Sequence, residues 1–189
     1  MNKSGLDKLF WGFFFIMLNF RIQGFDILPD LVGYIFFAVG INNLISSSEY
    51  FEKAAKYNIP MLIFSLLSLY QVPVQGGSIN FGILGVFGIP IIIASFILNL
   101  LLVYNIFMGI REISEKSGQN DLMEESDTMW NKYKMLQIAF ICSFIFIFIP
   151  PLALIYILVL FIASIIVTIS ILGFLKRCSE NLGISDSSY

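Results

Sequence analysis

Histidine is absent from this chain, cysteine occurs twice, and charged residues make up only 13% of the 189 positions. Each shortage excludes something. Without histidine the commonest metal ligand and general base is missing. Cys142 lies inside an apolar run and Cys178 follows Lys176 and Arg177, a pattern that suits neither a disulfide framework nor a zinc site. The charge content is about half of the roughly 25% usual in soluble domains, too little to cover a soluble surface. A formal net charge of −2 gives no basic field for nucleic acid. A soluble enzyme, a nucleic-acid binder and a secreted disulfide scaffold are therefore excluded, and neither metal nor cofactor is expected.

What is abundant is apolar. Hydrophobic residues make up 58% of the chain, 20 of them phenylalanine, and the mean hydropathy is +0.86. A membrane span needs about 20 apolar residues, and the sequence predicts six: about 6–22, 27–45, 59–74, 81–110, 135–149 and 152–175. Fusing the last two across Pro150-Pro151 would make a span too long for one crossing, and Pro-Pro marks a turn. The expected fold is an all-α polytopic transmembrane bundle forming a single domain. The N-terminal run has the look of a signal peptide but no small-residue cleavage site, so it reads as a retained first helix.

Charge placement orients the bundle. With the N-terminus inside, ten of the 11 basic residues fall in inner segments and only Arg21 falls outside. That bias places both termini in the cytoplasm. Two inner connections look helical. Ser46–Tyr57 carries a Ser46/Glu49 capping box, Glu49–Lys53 and Glu52–Lys56 pairs, and an apolar face. It is expected as a short interfacial helix after the second span, with Pro60 opening the third. The 111–134 connection has Gly118 as a C-cap and Asp121/Glu124 as a second capping box, and should run straight into the fifth span. Residues 179–189 read as a flexible tail.

The densest polar cluster, Arg21 to Asp30, contains every charge assigned to the outer side. Asp26 suits the N-cap of the second helix, Pro29 its first turn, and Asp30 its positive end. Arg21, Asp26 and Asp30 also form the one charged mouth open to the outside, suited to a cationic group or a partner. Within the spans Asn99 and Asn105 are the deepest amides, able to bond neighbouring helices or line a substrate path. Gly33 and Gly40 share one face of the second span, and Gly82, Gly85 and Gly88 recur before Pro90. These glycines signal close helix packing, or, for Phe81–Ile89, a re-entrant half-helix.

Catalytic constellations fail in turn. Ser-His and Cys-His pairs have no histidine, a Ser-Lys dyad has no lysine at depth, and no paired intramembrane aspartates occur. Glu124-Glu125 resembles the start of an intramembrane protease motif, but those enzymes also use histidine. No phosphate-binding glycine loop follows a strand. The chain reads as non-enzymatic.

The stretch Phe25-Asp26-Ile27-Leu28-Pro29-Asp30-Leu31-Val32-Gly33-Tyr34 resembles a segment of small uncharacterised multi-pass membrane proteins of Gram-positive bacteria, a likeness that brings no activity with it. In size and topology the chain is also similar to the substrate-binding component of energy-coupling-factor vitamin transporters. Those proteins carry Ala-x-x-x-Ala on the first helix, where this chain reads Phe10-Trp11-Gly12-Phe13-Phe14-Phe15-Ile16. The function expected is an accessory or interaction component of a membrane complex. Its partners are the lipid bilayer and either another membrane protein or a second copy. The alternatives are small-molecule binding or transport, and immunity against a membrane-active peptide. Asp30→Asn is expected to lower stability by about 0.3–1 kcal/mol in detergent thermal unfolding, with topology reporters unchanged. A variant that keeps its stability but loses a measured uptake or resistance would show that capping does not explain Asp30.

Overall fold

The computed structural model describes residues 3–17, 21–22, 25–26, 30–68, 88–146 and 150–183. Within them lie six α-helices: α1 (Lys3–Met17), α2 (Asp30–Leu44), α3 (Glu49–Ser68), α4 (Gly88–Lys116), α5 (Asn120–Phe146) and α6 (Pro150–Leu182). A single 3-10 turn, Ile45–Ser47, joins α2 to α3. Between α1 and α2 the two-residue strands β1 (Arg21–Ile22) and β2 (Phe25–Asp26) pair antiparallel. By length and composition, three stretches are able to cross a membrane: Asp30–Ser47, Pro90–Lys116 and Pro151–Leu182.

Several boundaries differ from the sequence expectation. No separate interfacial helix follows the second span, because Ser46–Tyr57 is absorbed into the 3-10 turn and the first half of α3. Pro60 lies inside α3. It removes the N–H that would have met the Lys56 carbonyl, and Lys56 is exposed, so water can donate to that carbonyl in place of the missing N–H. The cap is Ser48 rather than Ser46: the Tyr50 N–H donates to Ser48 Oγ at 3.2 Å, and Ser48 is extended. Asp26 belongs to β2 and does not cap α2, which opens on Asp30. Helix α5 starts at Asn120, so Asp121 lies in its first turn and does not cap it. Residues 179–182 of the expected tail continue α6, with Ser179 and Leu182 buried. Gly88 is the first residue of α4, while Gly82, Gly85 and the rest of the expected 81–87 stretch lie outside the described residues.

Gly118 does end α4 as expected. Its φ of 70° is left-handed, the Gln119 N–H reaches the Ser114 carbonyl at 2.9 Å, and the Gly118 N–H reaches that of Glu115 at 3.0 Å. This is the Schellman arrangement, in which only glycine adopts the needed backbone without strain.

The helices form a ring. Each packs on its sequence neighbours, and α6 returns to α1. The α1–α2 contact is built on glycine. A Cβ on Gly40 would lie 2.9 Å from the Gly5 carbonyl oxygen and 3.0 Å from the Leu9 nitrogen. One on Gly33 would lie 3.0 Å from the Gly12 carbonyl oxygen. Gly5 and Gly12 are thus matched in antiparallel register with Gly40 and Gly33, and the two backbones touch. The ring's centre is filled by aromatics. Phe13 packs edge-on against Phe37 at 4.9 Å and beside Phe107 at 5.6 Å, and Phe107 meets Phe174 at 6.2 Å, joining α1, α2, α4 and α6.

Gly40→Ala is expected to cost about 1–3 kcal/mol, because backbone on α1 cannot yield to the added methyl. Gly173→Ala would meet only the Arg177 guanidinium at 3.6 Å. It should be neutral or stabilising by up to about 1 kcal/mol through helix propensity. Thermal unfolding of the two variants side by side measures the contrast.

Candidate functional site

One end of the ring carries a charged rim. The Ser48 hydroxyl donates to Glu112 at 2.5 Å, joining α3 to α4, and Lys116 pairs with Glu112 at 2.6 Å. Arg111 pairs with Asp127 at 3.0 Å, joining α4 to α5, and Arg177 pairs with Glu125, joining α6 to α5. The Ser179 hydroxyl donates to Asp7 at 2.5 Å, closing α6 onto α1. Beside Ser48 a polar recess of about 630 Å³ opens, its walls including Tyr50, Lys53, Arg111 and Glu112. Glu112 lies just beyond the apolar stretch of α4. Its hydrogen bonds from Lys116 and from the Ser48 hydroxyl hold its carboxyl below the usual range.

Deeper in the ring lies a second polar group. Asn99 Nδ2 donates to the Tyr133 hydroxyl at 2.8 Å, and Gln137 bonds the same hydroxyl. Asn58 Nδ2 donates to the Tyr34 carbonyl at 3.0 Å. Asp30 lies within electrostatic reach of both Tyr34 and Tyr133. The ring thus gathers groups from α2, α3, α4 and α5. The Oδ1 atoms of Asn58 and Asn99 are buried without a hydrogen-bond partner. An unpaired buried acceptor costs about 1–3 kcal/mol. Two such oxygens are open acceptors, suited to a donor such as water or an ammonium group.

Of the expected site residues, the structure brings Asp30 and Asn99 into this one neighbourhood through Tyr133. Asn105 is not part of it: its Nδ2 donates to the Leu101 carbonyl at 2.6 Å on its own helix. Arg21 and Asp26 are backbone partners in the β1–β2 ladder. Sequence reasoning passed over Tyr34, Asn58 and Tyr133. Tyr133 counted toward an apolar face, Tyr34 stood only in the stretch that carries the resemblance, and Asn58 fell between the second and third expected spans. The signal available was a phenol on an apolar stripe, since a buried tyrosine hydroxyl seeks a partner.

The rim gives a pH-dependent prediction. A carboxyl whose folded pKa is depressed adds stability above its unfolded value of about 4.3, and that stability is lost as pH falls through the folded pKa. Wild-type protein should therefore be more stable than Glu112→Gln at pH 7. The gap should hold down to about pH 5 and shrink below about pH 4 in detergent unfolding curves. A gap independent of pH would place the role of Glu112 in packing instead.

Compared with known proteins, the chain matches no family model, no curated protein and no solved structure.

Proposed function

We propose that this chain is a six-span integral protein of a bacterial plasma membrane, with both termini cytoplasmic, and that it acts without catalysis as an accessory or interaction component of a membrane complex. Three stretches of spanning length and apolarity support the membrane assignment. The orientation is supported by the rim, where Lys116, Arg111 and Arg177 gather at the end shared by the α1 N-terminus and the α6 C-terminus. A cytoplasmic face enriched in Lys and Arg is the usual arrangement.

The observation that carries the interaction role is the filled centre. Phe13, Phe37, Phe107 and Phe174 are all nearly or fully buried, so in the charged half recognition is left to the outer faces. Those faces are apolar: Met135 and Ile169 are each 65% exposed. A second reading, binding of a small amine or monovalent cation, is favoured by the two unpaired amide oxygens of Asn58 and Asn99.

Mild-detergent extraction followed by native mass measurement separates the two. The accessory role predicts a stoichiometric assembly with another membrane protein or a second copy, and no response to ligands. A monomer whose melting temperature rises by about 5 °C or more at saturating amine or cation, with the rise abolished by Asn99→Leu, would replace it with the binding role.

A further inference from the structure

On the flank of the ring, α5 and α6 diverge around a groove of about 540 Å³. Its floor is small and apolar, with Ala139 on α5 facing Leu160 and Ala163 on α6. Toward the α6 N-terminus the helices are tied by the Tyr156 hydroxyl, which donates to the Ala139 carbonyl at 2.9 Å. Toward the rim the groove runs past Lys132 and Asn131 to Thr128, one turn nearer the rim. Lys132 to Ala139 spans about 10 Å of helix rise.

Lys56, Arg111, Lys116 and Arg177 each pair with a carboxylate. No ion pair among the described residues involves Lys132. On its own helix face the preceding acid, Glu125, is two turns away, about 10 Å along the axis, and pairs with Arg177. The charged half of α5 ends at Lys134, and the apolar half opens with Met135, 65% exposed. On α6 the exposed apolar run continues to Ile169, also 65% exposed. Lys132 therefore stands where a charged surface gives way to hydrocarbon-facing surface, at the head of an apolar channel.

We propose that this groove binds one anionic phospholipid, with an acyl chain on the Ala139–Ala163 floor and the phosphate on Lys132. The proposal rests on the reading that the chain spans a membrane. A lysine ammonium holds phosphate as a point charge, and Asn131 adds an amide donor to the ester oxygens. A zwitterionic lipid brings its own cation to the same place and is disfavoured. One interfacial lysine corresponds to about a fivefold preference.

The test uses full-length protein reconstituted in vesicles of equal phosphatidylglycerol and phosphatidylcholine, then extracted mildly for native mass spectrometry. Wild-type protein should retain one phosphatidylglycerol at about five times the level of phosphatidylcholine. Lys132→Gln should bring the two lipids to parity, whereas Lys53→Gln, the same charge change on α3, should leave the preference intact. Ala163→Leu should reduce retention of both lipids, with helicity checked by circular dichroism. Excess glycerol 3-phosphate should not displace the lipid, because the acyl chain supplies most of the contact. Parity in the wild type, or a preference that survives Lys132→Gln, overturns the proposal. Release of the protein from native membranes by carbonate washing is a different failure, since it overturns the spanning reading itself.

Discussion

The backbone contact between α1 and α2 is the constraint on which the rest of the ring depends. Where Gly12 meets Gly33 and Gly5 meets Gly40, no side chain separates the helices. In a membrane, where lipid tails are as apolar as leucine, such close approach supplies the packing attraction that water exclusion cannot. It also fixes the register of the pair. That register seats Phe37 over Gly12 and brings Phe13 against Phe37. From there the aromatic column extends to Phe107 and Phe174 and holds α4 and α6 against the pair. A similar device recurs between α3 and α4, where the Phe51 ring lies over Gly109.

The charged rim does a complementary task. Four of its bonds join different helices: Ser48 to Glu112, Arg111 to Asp127, Arg177 to Glu125, Ser179 to Asp7. Exposed ion pairs contribute little stability singly, but these sit at helix ends, where backbone groups need partners and register must be set. Other lysines use their stems and ammoniums differently. Lys53 lies over the Tyr50 ring at 5.2 Å and Lys134 near the Trp130 ring at 5.9 Å, the disposition of cations at an apolar boundary.

The inner polar group runs against this economy. Two buried amide oxygens without partners are a local cost in a ring whose centre is otherwise packed with phenyl rings. Such exceptions in a consistent structure mark places where function overrides packing. Asn99 also serves structure, since it ties α4 to α5 through Tyr133. One residue thus joins two helices through its amide nitrogen and leaves its buried amide oxygen unpaired.

Composition and apolar run length are local properties of the chain, and they were enough to set an all-α architecture of six helices, three of them long and apolar enough to cross a membrane. The Gly118 stop was equally legible, because its left-handed backbone is a requirement of its own turn. Gly33 and Gly40 were readable as a packing face, but their partners Gly5 and Gly12 were not, since which helix lies opposite is a property of register between distant segments. The same limit hid the site. Asn58 and Tyr133 look peripheral or apolar along the chain, and only the ring brings Tyr133 to Asn99 and Asn58 to the Tyr34 carbonyl. The Lys132 groove is of this kind too: its lysine and its floor come from two helices, and neither helix contains it alone. Spanning length and charge sidedness are sums over neighbouring residues, which a sequence displays directly. Hydrogen-bond partners, grooves and unpaired acceptors depend on which faces of separate helices meet, and that was decided only when glycine contacts and the aromatic column fixed their packing.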